Sequence, residues 1–323
     1  MSVLVYAENS GGKFKKTVFE AVTYASDLAK SLNTSCVAIS IGDVPDSELE
    51  HLGKYGVSKV LHVSNDRLKS FVNMAYASVI AAAAKSINAT AVVLSQTYNG
   101  RAVAPRIAVK LNGAQLSGVT TLVTSKDNGF VANRGAFSGK AIEEIFTDKL
   151  PMVITVRANS HQIVDNLVSC SIEPFTGEPD NNDFAAIAKE IIKASDKISL
   201  TEADIVVSAG RGLKDPSNWG MIEELAGLLG AATACSKPVA DVGWRPHYEH
   251  VGQTGIQVAP NLYFAIGISG AIQHLAGISA SKIIVVINID PEAPFFKIAD
   301  FGIVGDAFVV IPKLIEAIKA IKK

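Results

Sequence analysis

Leu262-Tyr-Phe-Ala-Ile-Gly-Ile-Ser-Gly-Ala-Ile-Gln-His-Leu-Ala276 is the stretch on which the fold reading turns. It opens as an apolar strand, breaks at Ser269-Gly270, and continues with helical spacing. A strand that passes through a glycine turn into a helix is the first half of a βα unit. The same alternation recurs on both sides. Downstream, Lys282–Ile287 reads as a strand, and Ala307–Ile311 as another followed by a helix to the C-terminus. Upstream, Asp204-Ile-Val-Val-Ser208 reads as a strand that leads through Gly210-Arg-Gly212 and Asp215-Pro-Ser217 into the helical pattern Trp219–Leu229.

Toward the N-terminus the apolar runs Val3–Ala7, Cys36–Ile41, Lys59–Val63, Ala91–Ser95 and Met152–Val156 are expected strands. Helices are expected between the first two, where Thr17-Val-Phe-Glu20 has capping-box form, over Phe71–Lys85, and over Ala102–Lys110 with Pro105 in the first turn. Tyr98-Asn-Gly-Arg-Ala102 reads equally as a functional loop or as a turn into that last helix. From Asn159 to Asp183 the periodicity fades into turn formers and acids, and the inter-domain connection is expected near there. At 323 residues the chain exceeds the roughly 250 at which single cores usually split. The expectation is therefore α/β with two domains, 1–195 and 196–323, each a mainly parallel sheet flanked by helices, the second Rossmann-like.

Hydrophobic residues make up 48% and charged residues 19%, with 30 Lys and Arg against 31 Asp and Glu. This near-neutral balance gives no reason to expect nucleic acid or an anionic membrane as partner. Cys36, Cys170 and Cys235 are odd in number and scattered, which argues against a disulfide framework, structural zinc and covalent haem, and for a reducing cytoplasm. Ser2–Ala7 already reads as a strand with no leader before it, the pattern of a bacterial-type cytoplasmic protein. Val251–Ser281 contains no Asp, Glu, Lys or Arg, yet its glycines, glutamines, Pro260 and Asn261 divide it into short elements and rule out a spanning helix.

That uncharged stretch has a chemical explanation. Ser269-Gly270 before a helix aims backbone N–H groups and a helix start at an anion such as a pyrophosphate, which peptide dipoles and hydroxyls hold without side-chain charge. Val251-Gly-Gln-Thr-Gly255 is a second polar loop with a glycine on each side of Gln253-Thr254. Two such loops point to a nucleotide cofactor. Neither is GxGxxG with a following acid, which disfavours NAD by the usual route, and no GxxxxGK[ST] loop is present. Plainer readings stand beside these. Arg211 suits a surface turn or an ion pair, His274 a core histidine, and Ser236 and Thr254 turn positions. His247 and His250 lack a third metal ligand and read as a solvated loop, while Cys235 reads as a buried, inert thiol.

Taken together, Gly210-Arg-Gly212, Asp241-Val-Gly243, Val251-Gly-Gln-Thr-Gly255, Ala259-Pro-Asn-Leu-Tyr263, Ile266-Gly-Ile-Ser-Gly-Ala-Ile-Gln-His-Leu-Ala-Gly277 and Asp290-Pro-Glu-Ala-Pro294 closely resemble the FAD domain of electron-transfer flavoprotein α subunits. The resemblance is strong from about Asp204 onward and fainter, though consistent in length and opening strand, before it.

What the resemblance implies is one non-covalent FAD. Arg211 lies against the isoalloxazine, Ser236 contacts the cofactor, and Val251, Gly252, Gln253 and Thr254 wrap the flavin side with the Thr254 hydroxyl near N5 or O4. Ser269, Gly270, Ala271, Ile272, Gln273 and His274 hold pyrophosphate and ring, with His274 donating to O2. Asn288, Asp306 and Ala307 lie toward ribose and adenine. A donor near N1 and O2 favours an anionic reduced flavin. The family commonly has arginine after Ser236, where this chain has Lys237. Lysine keeps the charge but loses the planar fork, so the stabilisation attributed to that position is not carried over.

The resemblance further implies an electron carrier, not a substrate-converting enzyme, with no nucleophile or general base. Its N-terminal domain pairs with a β subunit that holds AMP or a second FAD. Electrons arrive from flavin dehydrogenases of the acyl-CoA dehydrogenase type, in fatty acid β-oxidation, and leave to a membrane quinone oxidoreductase. The rivals are a subunit of an NADH-oxidising bifurcating complex and a non-redox nucleotide-binding regulatory module, which would be colourless.

Overall fold

The computed structural model describes residues 1–186 and 198–322. Of these, 1–135 and 142–186 form one compact unit, and 136–141 and 198–322 another. The expected boundary between 195 and 196 lies outside the described residues.

The first unit contains β1 (Ser2–Tyr6), a small hairpin of β2 (Asn9–Ser10) and β3 (Lys13–Phe14), α1 (Lys16–Ser31), β4 (Ser35–Ile41), α2 (Asp46–His51), β5 (Lys59–Val63), α3 (Asn73–Ser86), β6 (Ala89–Ser95) and α4 (Tyr98–Leu111). It continues with β7 (Ala114–Val119), β8 (Thr124–Lys126), β9 (Gly129–Ala136), β10 (Ala141–Thr147), β11 (Met152–Val156) and β12 (Ser171–Pro174). Among the described residues these build a ten-stranded sheet in the order β10-β9-β7-β11-β6-β1-β4-β5-β12, with β8 on β9. From β7 to β12 every neighbouring pair is parallel. Such a sheet needs cover on both faces, and β1 shows how the sequence supplies it. Val3, Val5 and Ala7 pack with Val18, Ala21 and Leu28 of α1, whereas Leu4 and Tyr6 pack with Ile80 of α3 and Val103 and Ile107 of α4.

Several local expectations give way here. The capping box at Thr17 does not form: α1 starts at Lys16, the side chain of Lys15 at the N-cap does not cap it, and Thr17 is buried inside the helix. Glu20 turns inward instead, 2% exposed, and accepts from the backbone N–H groups of Asn159 and His161 at 3.0 and 2.9 Å. Tyr98–Ala102 is helix, because Thr97 caps it by accepting from Gly100 N at 2.9 Å. Pro105 consequently sits inside α4, not in its first turn, and deprives the Arg101 carbonyl of its helical donor. The stretch Asn159–Asp183 is part of the first unit and not a loose connection: β12 pairs parallel with β5, and buried Asp183 accepts from Ser78 Oγ at 2.6 Å.

The second unit contains β13 (Ile205–Ala209), α5 (Gly220–Leu229), β14 (Ala232–Cys235), α6 (Lys237–Asp241), β15 (Leu262–Ile266), α7 (Ile272–Ile278), β16 (Ile283–Asn288), β17 (Phe301–Val304) and α8 (Ala307–Ile321). Its five strands, in the order β14-β13-β15-β16-β17, are all parallel, as the sequence led one to expect. Val207 and Ala209 pack with α5 and α8 through Ile222, Leu225, Ile311 and Ile315. Val206, Tyr263 and Ala265 pack on the other face with Val251, Ile278 and Phe295. Ala307–Ile311 is a helix start and not the last strand. Asp306 Oδ1 accepts from Phe308 N at 2.9 Å, and Ile311 and Ile315 are buried one turn apart. An apolar run of this length has no periodicity of its own to separate strand from helix.

Candidate functional site

In chain order the second sheet starts at β13, adds β14 on one side and then β15 on the other. The crevice beyond the carboxyl ends of β13 and β15 is therefore the point where strand order reverses, the usual ligand position in such sheets. The loops there are drawn together. Gly210 N donates to Ile266 O at 2.9 Å and Gly212 N to Gly267 O at 3.1 Å. Gly267 has φ +60°, and a Cβ on Gly212 would lie 2.6 Å from its Cα, so neither position admits a side chain. Arg211, between the two glycines, is exposed.

Next along the edge, Ser236 N donates to Ala209 O at 3.2 Å, which seats buried Ser236 and exposed Lys237 beside β13. Val251 N donates to Cys235 O at 3.1 Å, and Gln253 N to Gln273 O at 2.7 Å. The loop Val251–Thr254 is thus pinned both to the end of β14 and to α7. A Cβ on Gly277 would lie 2.5 Å from Gly252 Cα, so the glycine in α7 is what lets the loop lie flat on the helix. Gln253, Thr254, Ser269, Ala271, Ile272 and Gln273 are exposed, whereas Val251, Gly252, Gly270 and His274 are buried.

Asn288 and Asp306 stand at the same edge, both with structural employment. Asn288 Nδ2 donates to Ile268 O at 2.9 Å and its Oδ1 accepts from Asp290 N at 3.1 Å. Asp306 caps α8, with Ala307 buried behind it. Gly305 N donates to Asn288 O at 2.9 Å, which ties the two positions together. The sequence-derived site residues therefore gather along the carboxyl edge of this sheet, Asn288 as the last residue of β16 and the others in the loops and helices that follow the strands.

His274 is 6% exposed. Its Nε2 is 2.9 Å from the Tyr263 hydroxyl, and its buried Nδ1 has no partner among the described residues. Burial, and secondarily His250, hold its pKa down to about 4. It is neutral at physiological pH and carries one N–H. A buried uncharged imidazole with an unmet nitrogen, beside glycine loops packed too closely to admit side chains, fits a flavin nucleotide. His250, expected in a solvated loop, is buried: Cys235 and His250 form a bridge that draws the loop into the sheet edge. Burial is also the main cause that lowers its pKa. Cys235 is fully buried, with its thiol pushed up to about 12 chiefly by desolvation, the inert setting expected of it. Sequence reasoning missed Tyr263 as a partner of His274, although the eleven-residue separation across a βα turn was visible. Among the described residues no His, Cys, Asp and Glu cluster could hold a metal, and no helix is long and apolar enough to cross a membrane.

The model of the electron transfer flavoprotein domain matches residues 3–200, and that of the electron transfer flavoprotein FAD-binding domain matches residues 199–279. The electron transfer flavoprotein subunit alpha of Thermoanaerobacterium thermosaccharolyticum is 38% identical over 99% of this chain and 98% of the relative.

This chain belongs to the electron transfer flavoprotein α-subunit family.

The Bacillus subtilis subunit alpha is 36% identical over 98% of this chain and 97% of its own length, and that of Pseudomonas aeruginosa 35% identical over 98% and 100%. Similarity to this flavoprotein family spans both units, including the first, where the residues alone gave only a faint likeness. The second family model ends at 279, so Asn288, Asp306 and Ala307 lie beyond it.

Proposed function

We propose that this chain carries electrons between other redox proteins as the α subunit of a heterodimer, with one FAD held non-covalently at the carboxyl edge of the five-stranded sheet. The observation that carries the reading is His274, a buried neutral imidazole with an unmet Nδ1 among glycine loops. Bound FAD supplies one-electron redox chemistry that no side chain here can provide. The chain's own residues bind and tune. Backbone N–H groups from Ser269 to Gln273 take the pyrophosphate, and His274 donates to the flavin carbonyl. The Thr254 hydroxyl, with Val251, Gly252 and Gln253, would wrap the flavin side, and Arg211, Ser236 and Lys237 would also contact the cofactor. Asn288, Asp306 and Ala307 face the ribose and adenine. None of these groups is required as a nucleophile or base, in keeping with a carrier.

The first unit pairs with a β subunit of related fold that holds AMP or a second FAD. Donors are flavin dehydrogenases of the acyl-CoA dehydrogenase type, and the acceptor is a membrane quinone oxidoreductase. The test is an absorbance spectrum during stepwise dithionite reduction of this chain co-expressed with its β-type partner. Flavin bands near about 375 and 450 nm that bleach in one-electron steps support the carrier. A colourless complex that cannot be reconstituted with FAD removes the flavin reading and favours the regulatory module. Two FAD per heterodimer with reduction by NADH favours the bifurcating complex.

A further inference from the structure

Tyr263 lies at the second position of β15, fully buried, opposite Val206 on one side and Ile284 on the other. Its hydroxyl reaches His274 Nε2 at 2.9 Å. The imidazole packs edge-on against both Tyr263 and Phe295, with centroids 6.2 and 5.6 Å away and interplanar angles of 61° and 65°. Ring rotation is therefore obstructed, and what remains open is which nitrogen holds the proton.

We propose that Tyr263 donates to His274 Nε2 and thereby fixes the Nδ1–H tautomer, making His274 a one-way hydrogen-bond donor toward the flavin carbonyl. The inference rests on the flavin reading above and makes Tyr263 a positioning residue for that contact. Burial raises the Tyr263 phenol well above its ordinary range, so an O–H is always present to donate. Ser208 Oγ, fully buried on the neighbouring strand, acts on the same hydroxyl as a donor, which partly offsets burial in setting the phenol's pKa and leaves the phenol's own O–H to be given to Nε2. With Nε2 accepting, the single proton of the neutral ring sits on Nδ1. That nitrogen is buried and unpartnered among the described residues, and an unmet buried N–H is a cost that a ligand acceptor relieves. The titratable group that acts on His274 from the facing loop is His250. Asp241, Lys237 and His247 act on His250. The reverse arrangement, Nε2–H donating to the phenol, leaves an Nδ1 lone pair aimed at the flavin carbonyl, which repels it.

The test is a long-range proton–nitrogen correlation spectrum of the FAD-loaded heterodimer with ¹⁵N-labelled histidine. His274 is expected to show a protonated Nδ1 and an unprotonated Nε2 from about pH 6 to 9. A protonated Nε2 in a complex that retains FAD overturns the inference and leaves the flavin reading standing. A complex that binds no FAD removes the flavin reading and this one with it. Tyr263→Phe adds a second readout. It is expected to weaken FAD binding about fivefold and to lower the flavin potential. In the His274→Gln background the same change is expected to move neither, because Tyr263 acts through the imidazole. Equal shifts in both backgrounds mean a packing role only and overturn the proposal. Should Tyr263→Phe fail to fold, the wild-type spectrum decides alone.

Discussion

At the scale of single residues, His274 links burial to pH. Its pKa of about 4 in the folded chain lies below the ordinary 6.5. Between those values the unfolded chain holds a proton that the folded chain does not, so stability falls as pH drops from 6.5 toward 4. At pH 5 the loss from this one group is about 2 kcal/mol relative to neutral pH. Urea unfolding at pH 7 and pH 5 checks it: His274→Gln is expected to lose less stability on acidification than the wild type, by roughly that amount. Identical pH dependences would show that His274 protonates in the folded chain. Gly277 is the second residue whose identity is set by its neighbour. A Cβ there meets Gly252 Cα at 2.5 Å, backbone against backbone, with no flexible side chain to move aside. Gly277→Val is expected to cost about 2 kcal/mol by overpacking and to abolish FAD retention, read by thermal melting and flavin absorbance. Full FAD content in the variant would mean that the Val251–Thr254 loop tolerates displacement from α7.

At the scale of elements, the stretch after β11 is held by a carboxylate on α1. Glu20 accepts two backbone N–H groups, those of Asn159 and His161, while His161 Nε2 contacts Asp27 Oδ2 at 3.0 Å. The chain is thereby started along the path that ends in β12 at the edge of the sheet. Glu20→Ala takes the acceptor from two half-buried donors that water can partly reach, so the expected loss is about 1–2 kcal/mol, toward the low end for an unmet buried group. The first unit is also expected to become protease-sensitive between 159 and 170. Unchanged urea midpoints and cleavage patterns would mean that β12 pairing alone holds the segment. This element escaped sequence reading because its physical anchor lies about 140 residues earlier in the chain: no local periodicity announces a strand of Ser171–Pro174, three of whose four residues are exposed.

At the scale of the whole molecule, the central strands of the ten-stranded sheet bury both faces against helices, whereas the cofactor residues expected from the sequence all belong to the five-stranded unit. A ligand that binds only the folded state stabilises what it touches by mass action. FAD loading is therefore expected to slow amide hydrogen exchange in 210–212, 251–254 and 267–274, and to leave β1, β4 and β6 unchanged. Exchange read by mass spectrometry with and without FAD checks this. Protection in the first unit's central strands and none in the glycine loops would place the cofactor elsewhere.

The sequence by itself determined the βα alternation, the parallel character of the second sheet though not its edge strands β14 and β17 or its strand order, and the glycine loops, because burial of a strand and a turn that excludes a side chain are local demands that residue types announce. It also carried the family resemblance, in motifs clustered after Asp204. Tertiary structure alone decided which apolar run became strand and which helix at Ala307–Ile311, since an apolar run is compatible with either until Asp306 caps it and Ile311 and Ile315 find α5. It decided that Glu20 holds the 159–161 segment instead of closing a capping box, and that Pro105 sits inside a helix begun by Thr97. It decided, too, that His274 meets Tyr263. A histidine's charge and tautomer depend on what surrounds it in three dimensions, and no spacing along the chain encodes the desolvation that keeps this one neutral.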